Sequence, residues 1–170
     1  LTVKKFIAAS LSLSNDLVKR LRENGMENYT GSEVFLMLDI GFTISNRQRT
    51  GLFILYCAFA IALSELRIPT NLSIFSDPNI QVEIKSQDKE LTEVDLQKVL
   101  DTLSIRRKVS DLVTATEFVK RRFNDNLEAH SLFVFTDGLL VNTNIKNWNN
   151  RIPENASLTT LILPQMDKEV

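Results

Sequence analysis

In Val34-Phe-Leu-Met-Leu-Asp-Ile-Gly-Phe-Thr-Ile-Ser45, five apolar residues run without a break into Asp39, and a loop carrying Gly41, Thr43 and Ser45 follows. A short, continuous apolar run predicts a strand covered on both faces, as in parallel sheets flanked by helices. Asp39 then falls at the C-terminal end of that strand, the edge where open parallel sheets bind ligands. The same event recurs at Leu132-Phe-Val-Phe-Thr-Asp-Gly138, a second buried strand ending in an acid. Two carboxylates at two strand ends, with hydroxyls nearby, form the one constellation in the chain that looks like chemistry.

Working outward, Leu52, Phe53, Leu55, Tyr56, Phe59, Ala60, Leu63 and Leu66 cover more than one face of a helix predicted over 47–65. A helix apolar on most sides is buried on most sides, and Ile68-Pro69 stops it. Asn71–Phe75 reads as a second strand, Ser76-Asp77-Pro78-Asn79 as a turn cluster, and Ile80-Gln-Val-Glu-Ile84 as an alternating edge strand. Their close spacing predicts a hairpin. Thr92 opens a helix as its cap, with Val94, Leu96, Val99, Leu100 and Leu103 inside. Another helix starts at Ser110-Asp111 and runs to Phe123; after the strand over 132–135 come a loop and short helix with Trp148, then a last strand, Leu158–Leu163. Upstream, residues 1–24 are helical, with Val3, Phe6, Ile7, Leu13, Leu17, Val18 and Leu21 at helical spacing. Ser14 leaves open whether this is one helix or two, and Gly25 is the expected stop. Long helices alternating with short apolar strands predict an α/β sandwich, mostly parallel, with one antiparallel edge strand.

The totals narrow the function classes. A length of 170 residues suits one domain with a full core, and a formal net charge of -1 provides no general attraction for nucleic acid. One cysteine, Cys57, excludes an internal disulfide and sits in an apolar stretch, as a buried, inert thiol does. A single histidine, His130, excludes zinc sites of the Cys/His kind. The longest apolar run, Leu52 to Leu63, falls short of the roughly 20 residues that cross a bilayer, so no membrane partner is expected. The chain opens on Leu1 rather than Met, which suggests a segment of something longer, with an intracellular setting (cytoplasmic or nuclear) as the expectation. Asn-X-Ser/Thr triplets at Asn28, Asn71 and Asn155 read as accidental.

The strand order and the two acid-ended strands resemble a von Willebrand factor A domain over residues 31–165, with 1–30 as a helical extension and linker and 166–170 as a tail. The resemblance implies a three-layer Rossmann-like sandwich and a metal-ion-dependent adhesion site. There the first strand ends in Asp-X-Ser-X-Ser, a second loop adds a hydroxyl, and a later strand end adds an Asp. Together these hold Mg²⁺, a hard ion that takes oxygen ligands in octahedral geometry, and a partner protein's acidic side chain completes the shell. Carried over by position, Asp39 matches the first Asp, Thr43 the second hydroxyl, Ser110 the second-loop hydroxyl and Asp137 the later Asp. Gly41 stands where the first Ser belongs, so the site is degenerate by one ligand. The implied function is non-enzymatic: a protein-interaction module, with or without metal, in a larger protein or complex.

Other readings use the same residues. Asp39 accepting hydrogen bonds from loop amides, with Asp137 capping its own turn, is the purely structural one. Asp39-Ile-Gly-Phe-Thr43 also fits the phosphate loop of actin-like ATPases, but a helix rather than a second strand follows it. Haloacid-dehalogenase-like chemistry needs an acid two residues after the nucleophile, and Gly41 cannot exchange a proton. A basic helix over 106–122, with Arg106-Arg107-Lys108 and Lys120-Arg121-Arg122, could contact phosphates of a nucleic acid; a solvated face is the plainer account.

Overall fold

The computed structural model describes residues 2–25, 33–41, 46–76, 81–105, 117, 121, 130–136 and 156–162. The apolar run forms β1, Glu33–Asp39, at the centre of a five-stranded sheet. Next come α2, Asn46–Glu65, then β2, Thr70–Phe75, and β3, Gln81–Lys85. After them follow α3, Glu93–Asp101, a 3-10 turn at Thr102–Ser104, β4, His130–Phe135, and β5, Ala156–Ile162. The first helix, α1, spans Val3–Glu23. Strand order is β3-β2-β1-β4-β5. Four strands run parallel; β3 pairs antiparallel with β2 at the edge, as the hairpin reading predicts.

Both faces of β1 are buried, which explains why it lacks polar alternation. Val34, Leu36 and Leu38 join Leu72 and Ile74 of β2 and Phe135 of β4 in one core with α2. The intervening residues, Phe35 and Met37, are buried too. Helix α2 supplies Leu52, Phe53, Tyr56, Cys57, Ala60, Ile61 and Leu63 to that core, and α3 supplies Leu96 and Val99. Cys57 is buried, and desolvation pushes its thiol far above the usual range, which makes it unreactive.

Helix α1 is one helix, not two. It packs against α2, with Phe6 in the shared core. Its buried line is Phe6, Ser10, Ser14 and Val18, at a spacing of four. The two serines bend back on their own helix: Ser10 Oγ donates to Phe6 O at 2.9 Å and Ser14 Oγ to Leu11 O at 2.7 Å. A hydroxyl satisfied this way can be buried, and a small side chain lets two helices approach closely. Ser14 is therefore an interior contact rather than a cap. The helix ends as expected at Gly25, whose φ of +79° is the left-handed conformation that glycine adopts freely.

At α3, Thr92 caps as predicted. Its Oγ accepts from Asp95 N, and the Asp95 carboxylate accepts from Thr92 N at 3.0 Å, which makes a capping box. Val94 is a correction to the expected inner face: it is 62% exposed, because the first turn of α3 faces water and only Leu96 and Val99 are buried. No helix among the described residues is long and apolar enough to cross a membrane.

Candidate functional site

The sheet order reverses its direction of growth at β1: β2 and β3 lie to one side, β4 and β5 to the other. The C-terminal ends of β1 and β4 therefore flank a topological switch point, where loops diverge and open α/β sheets bind ligands. Asp39, the last residue of β1, sits there with its side chain 4% exposed. Leu38 pairs with Phe135, which brings the next residues, Asp39 and Thr136, side by side.

Both carboxylate oxygens of Asp39 are engaged. Oδ1 accepts from Gly41 N at 2.8 Å, and Oδ2 accepts from Thr136 Oγ1 at 2.6 Å. The first bond closes an Asx-type turn, as the structural reading of Asp39 expects. The second ties the ends of two strands that are 97 residues apart in sequence. Together these two bonds fix the orientation of the carboxylate.

Ile40 continues the clasp. Its N–H donates to Phe75 O at 2.9 Å, which ties the end of β1 to the end of β2. Its carbonyl accepts from Arg49 Nη2 at 2.8 Å. Arg49 lies in the first turns of α2 and is 1% exposed. Nη2 also donates to Thr102 O at 3.3 Å, Nη1 donates to Leu103 O, and the guanidinium carbon stands 5.1 Å from the centroid of the Phe53 ring. One buried cation thus joins the loop after β1 to the turn after α3. Its charge strengthens each bond, and the aromatic face adds a further favourable contact.

Of the four residues expected to hold a metal, Asp39 is placed at the switch point. Thr43, Ser110 and Asp137 lie outside the described residues, as do Trp148 and the basic runs, apart from an exposed Arg121. Among the described residues, no group of three or more His, Cys, Asp or Glu could hold a metal ion. Asn71 is fully buried in β2, so its Asn-Leu-Ser triplet is inaccessible in the folded chain.

Sequence reasoning missed Thr136 and Arg49, and it placed Tyr56 in the buried helix without the hydrogen bonds of its hydroxyl. Thr136 carried a signal: it precedes the acid of the second strand end, as Leu38 precedes Asp39. Arg49 carried one too, since it precedes Phe53 by one helical step of four and so falls on the inner face of α2. Tyr56 buries a hydroxyl that donates to Leu36 O at 2.8 Å and to Ser73 O at 3.1 Å, bridging β1 and β2. Burial holds that phenol well above its ordinary pKa.

At the opposite end of the sheet, a cleft of about 420 Å³ is lined by residues that include Ala60, Arg67, Thr70, Lys85 and Leu91. Lys85 is 7% exposed, and its ammonium donates to three carbonyls: Thr70 O at 2.7 Å, Ser86 O at 2.9 Å and Lys89 O at 2.7 Å. Those bonds tie down the turn that follows β3. Set beside protein-family models and curated proteins, the chain matches none of them.

Proposed function

We propose that this chain is a non-enzymatic protein-interaction module of the von Willebrand factor A type, a three-layer Rossmann-like sandwich that binds a partner at the C-terminal edge of its sheet. The observation that carries the reading is Asp39, a carboxylate held at the switch point by Gly41 N and Thr136 Oγ1. The strand order, with its single antiparallel edge strand, supports the fold assignment.

Asp39 and Thr136 supply one carboxylate and one hydroxyl, both of the hard-oxygen type that Mg²⁺ takes. That set is short of a metal site by itself. The metal-assisted form of the reading adds Thr43, Ser110 and Asp137, with Gly41 contributing no side chain. When bound, the ion would supply a positive centre for a partner's Asp or Glu. In the metal-free form, the same rim makes ordinary polar and apolar contacts.

Thermal unfolding in Mg²⁺ or Mn²⁺ against EDTA separates the two forms, because a ligand that binds only the folded state raises the midpoint. For the metal-assisted form, the wild-type midpoint is expected to rise with millimolar metal and the Asp39→Ala midpoint to stay put. A wild-type midpoint indifferent to metal removes the ion from the reading. A metal-dependent rise that survives in Asp39→Ala places the ion elsewhere and removes Asp39 as its ligand.

A further inference from the structure

We infer that Arg49 is a positioning residue that couples the loop leaving β1 to the turn leaving α3, so that a disturbance of either is transmitted to the other. The geometry is a fork with prongs in two segments far apart in sequence. Nη2 holds Ile40 O at 2.8 Å, and the same guanidinium holds Thr102 O at 3.3 Å and Leu103 O. Ile40 is one residue from Asp39, and Thr102 O also accepts the N–H of Ile105 at 3.1 Å. The two segments share this cation.

A guanidinium is planar, stays charged at any pH the fold survives, and presents its donors in a fixed relative geometry. Arg49 is also packed over Phe53 and almost wholly buried, so its head has little room to tilt. If Ile40 O moves, the fork follows or a charge-assisted bond is lost in a site closed to water. Following is the less costly course, and it displaces the donors that hold Thr102 O and Leu103 O. A lysine at position 49 would keep the charge but has no planar fork, and so could not hold both segments in one rigid arrangement.

Asp39 provides the disturbance. Asp39→Asn keeps the size of the side chain but alters the acceptor that holds Thr136 Oγ1, which loosens the end of β1. Amide hydrogen exchange then reads residues 39–41 and 102–105 separately, with the β1 amides of 34–38 reporting global opening. In the wild-type background, Asp39→Asn is expected to speed exchange at both segments, by roughly threefold or more at 102–105, with 34–38 unchanged. In the Arg49→Lys background, the same substitution should speed 39–41 alone. The coupling is overturned if Asp39→Asn leaves 102–105 unmoved in the wild-type background, or if it still moves 102–105 with lysine at position 49. It is equally overturned if 34–38 accelerates in step, since the effect is then global unfolding. Should Arg49→Lys fail to fold, Phe53→Leu loosens the packing of the guanidinium while leaving its donors in place, and it should reduce the transmitted effect; an undiminished effect overturns the coupling.

The functional consequence, that a partner engaging one loop is felt at the other, rests on the interaction-module reading above. The exchange measurement needs no partner and no metal. A failed metal titration leaves the coupling standing, and a failed exchange experiment leaves the metal question open.

Discussion

Arg49 and Lys85 are both buried cations that donate to three main-chain carbonyls, and they sit at opposite ends of the same sheet. What they tie together differs. The carbonyls on Arg49 are 9, 53 and 54 residues away, in two separate segments. Those on Lys85 are 15, 1 and 4 residues away, in one hairpin and its turn. The cations also differ in kind. Arg49 cannot shed its proton, whereas desolvation lowers the pKa of Lys85 against the pull of Asp95, Asp88 and Glu83. The candidate-site end is thus closed by a permanent, long-range clasp, and the cleft end by a local, titratable one.

Removing each clasp should break that symmetry. Arg49→Met leaves two buried carbonyls and the half-buried Leu103 O without their charged donor and severs contacts across the chain. A cost of roughly 3–5 kcal/mol is expected, read as a lower urea midpoint at unchanged slope. Lys85→Met is expected to cost only about 1–2 kcal/mol, because two of its three carbonyls, Ser86 O and Lys89 O, lie on a turn that water can reach once the ammonium has gone, and only Thr70 O is left buried. Equal losses at the two positions would remove the distinction between long-range and local clasps.

That contrast was only partly legible in the sequence. The strands and α2 were readable because unbroken apolar runs and a helix apolar on most faces allow few packings, and the structure places β1 and α2 within a residue of the expected bounds at each end. The antiparallel edge was readable from the strict alternation of Ile80-Gln-Val-Glu-Ile84 beside a turn cluster, and β3 forms over Gln81–Lys85. Asp39 was readable as a strand-end acid. The partners of Arg49 were not: its spacing from Phe53 places it on the inner face of α2, but nothing local in a sequence says which carbonyl 54 residues on it will meet. Ser14 misled in the opposite sense: a hydroxyl normally marks a cap or a wet face, yet back-bonding to its own helix lets it, like Ser10, form the buried contact. Val94 misled because apolar spacing places a residue near the inner face without saying where burial begins.

The difference in chemistry between the cations has its own test. A lysine whose folded pKa is lowered binds fewer protons in the folded chain than in the unfolded one, between its folded pKa and the ordinary value of about 10.4. Through that alkaline window the unfolded state holds more protons, so stability should rise with pH, and below the window Lys85 should contribute no slope. Cys57 and Tyr56 act oppositely, since burial raises both and the folded chain keeps their protons longer. The quantity to measure is therefore the wild-type stability minus that of Lys85→Met as pH rises. An upward trend confined to the window supports a titratable clasp, and a flat difference removes it. The same subtraction for Arg49→Met should be flat throughout.

The smallest effect is expected at Arg67, which lines the Lys85 cleft. Helix α2 ends in a Schellman motif: Ile68 N donates to Leu63 O at 3.0 Å and Arg67 N to Ser64 O at 3.0 Å. The motif puts Arg67 at φ +57°, a conformation in which a Cβ crowds the neighbouring backbone and glycine is at ease. Relief of that crowding is worth about 1 kcal/mol, and the extra freedom that glycine gives the unfolded chain takes back about half of it. Arg67→Gly should therefore stabilise the chain by about 0.5 kcal/mol, or roughly 1–2 °C in Tm for a domain of this size. The sign is the informative part. A gain means that the arginine side chain contributes less at this end than its backbone costs, so that Lys85 holds the cleft end without help from Arg67. A loss means that the exposed guanidinium contributes more than the strain takes, and the cleft end then has a second charged contact beside Lys85.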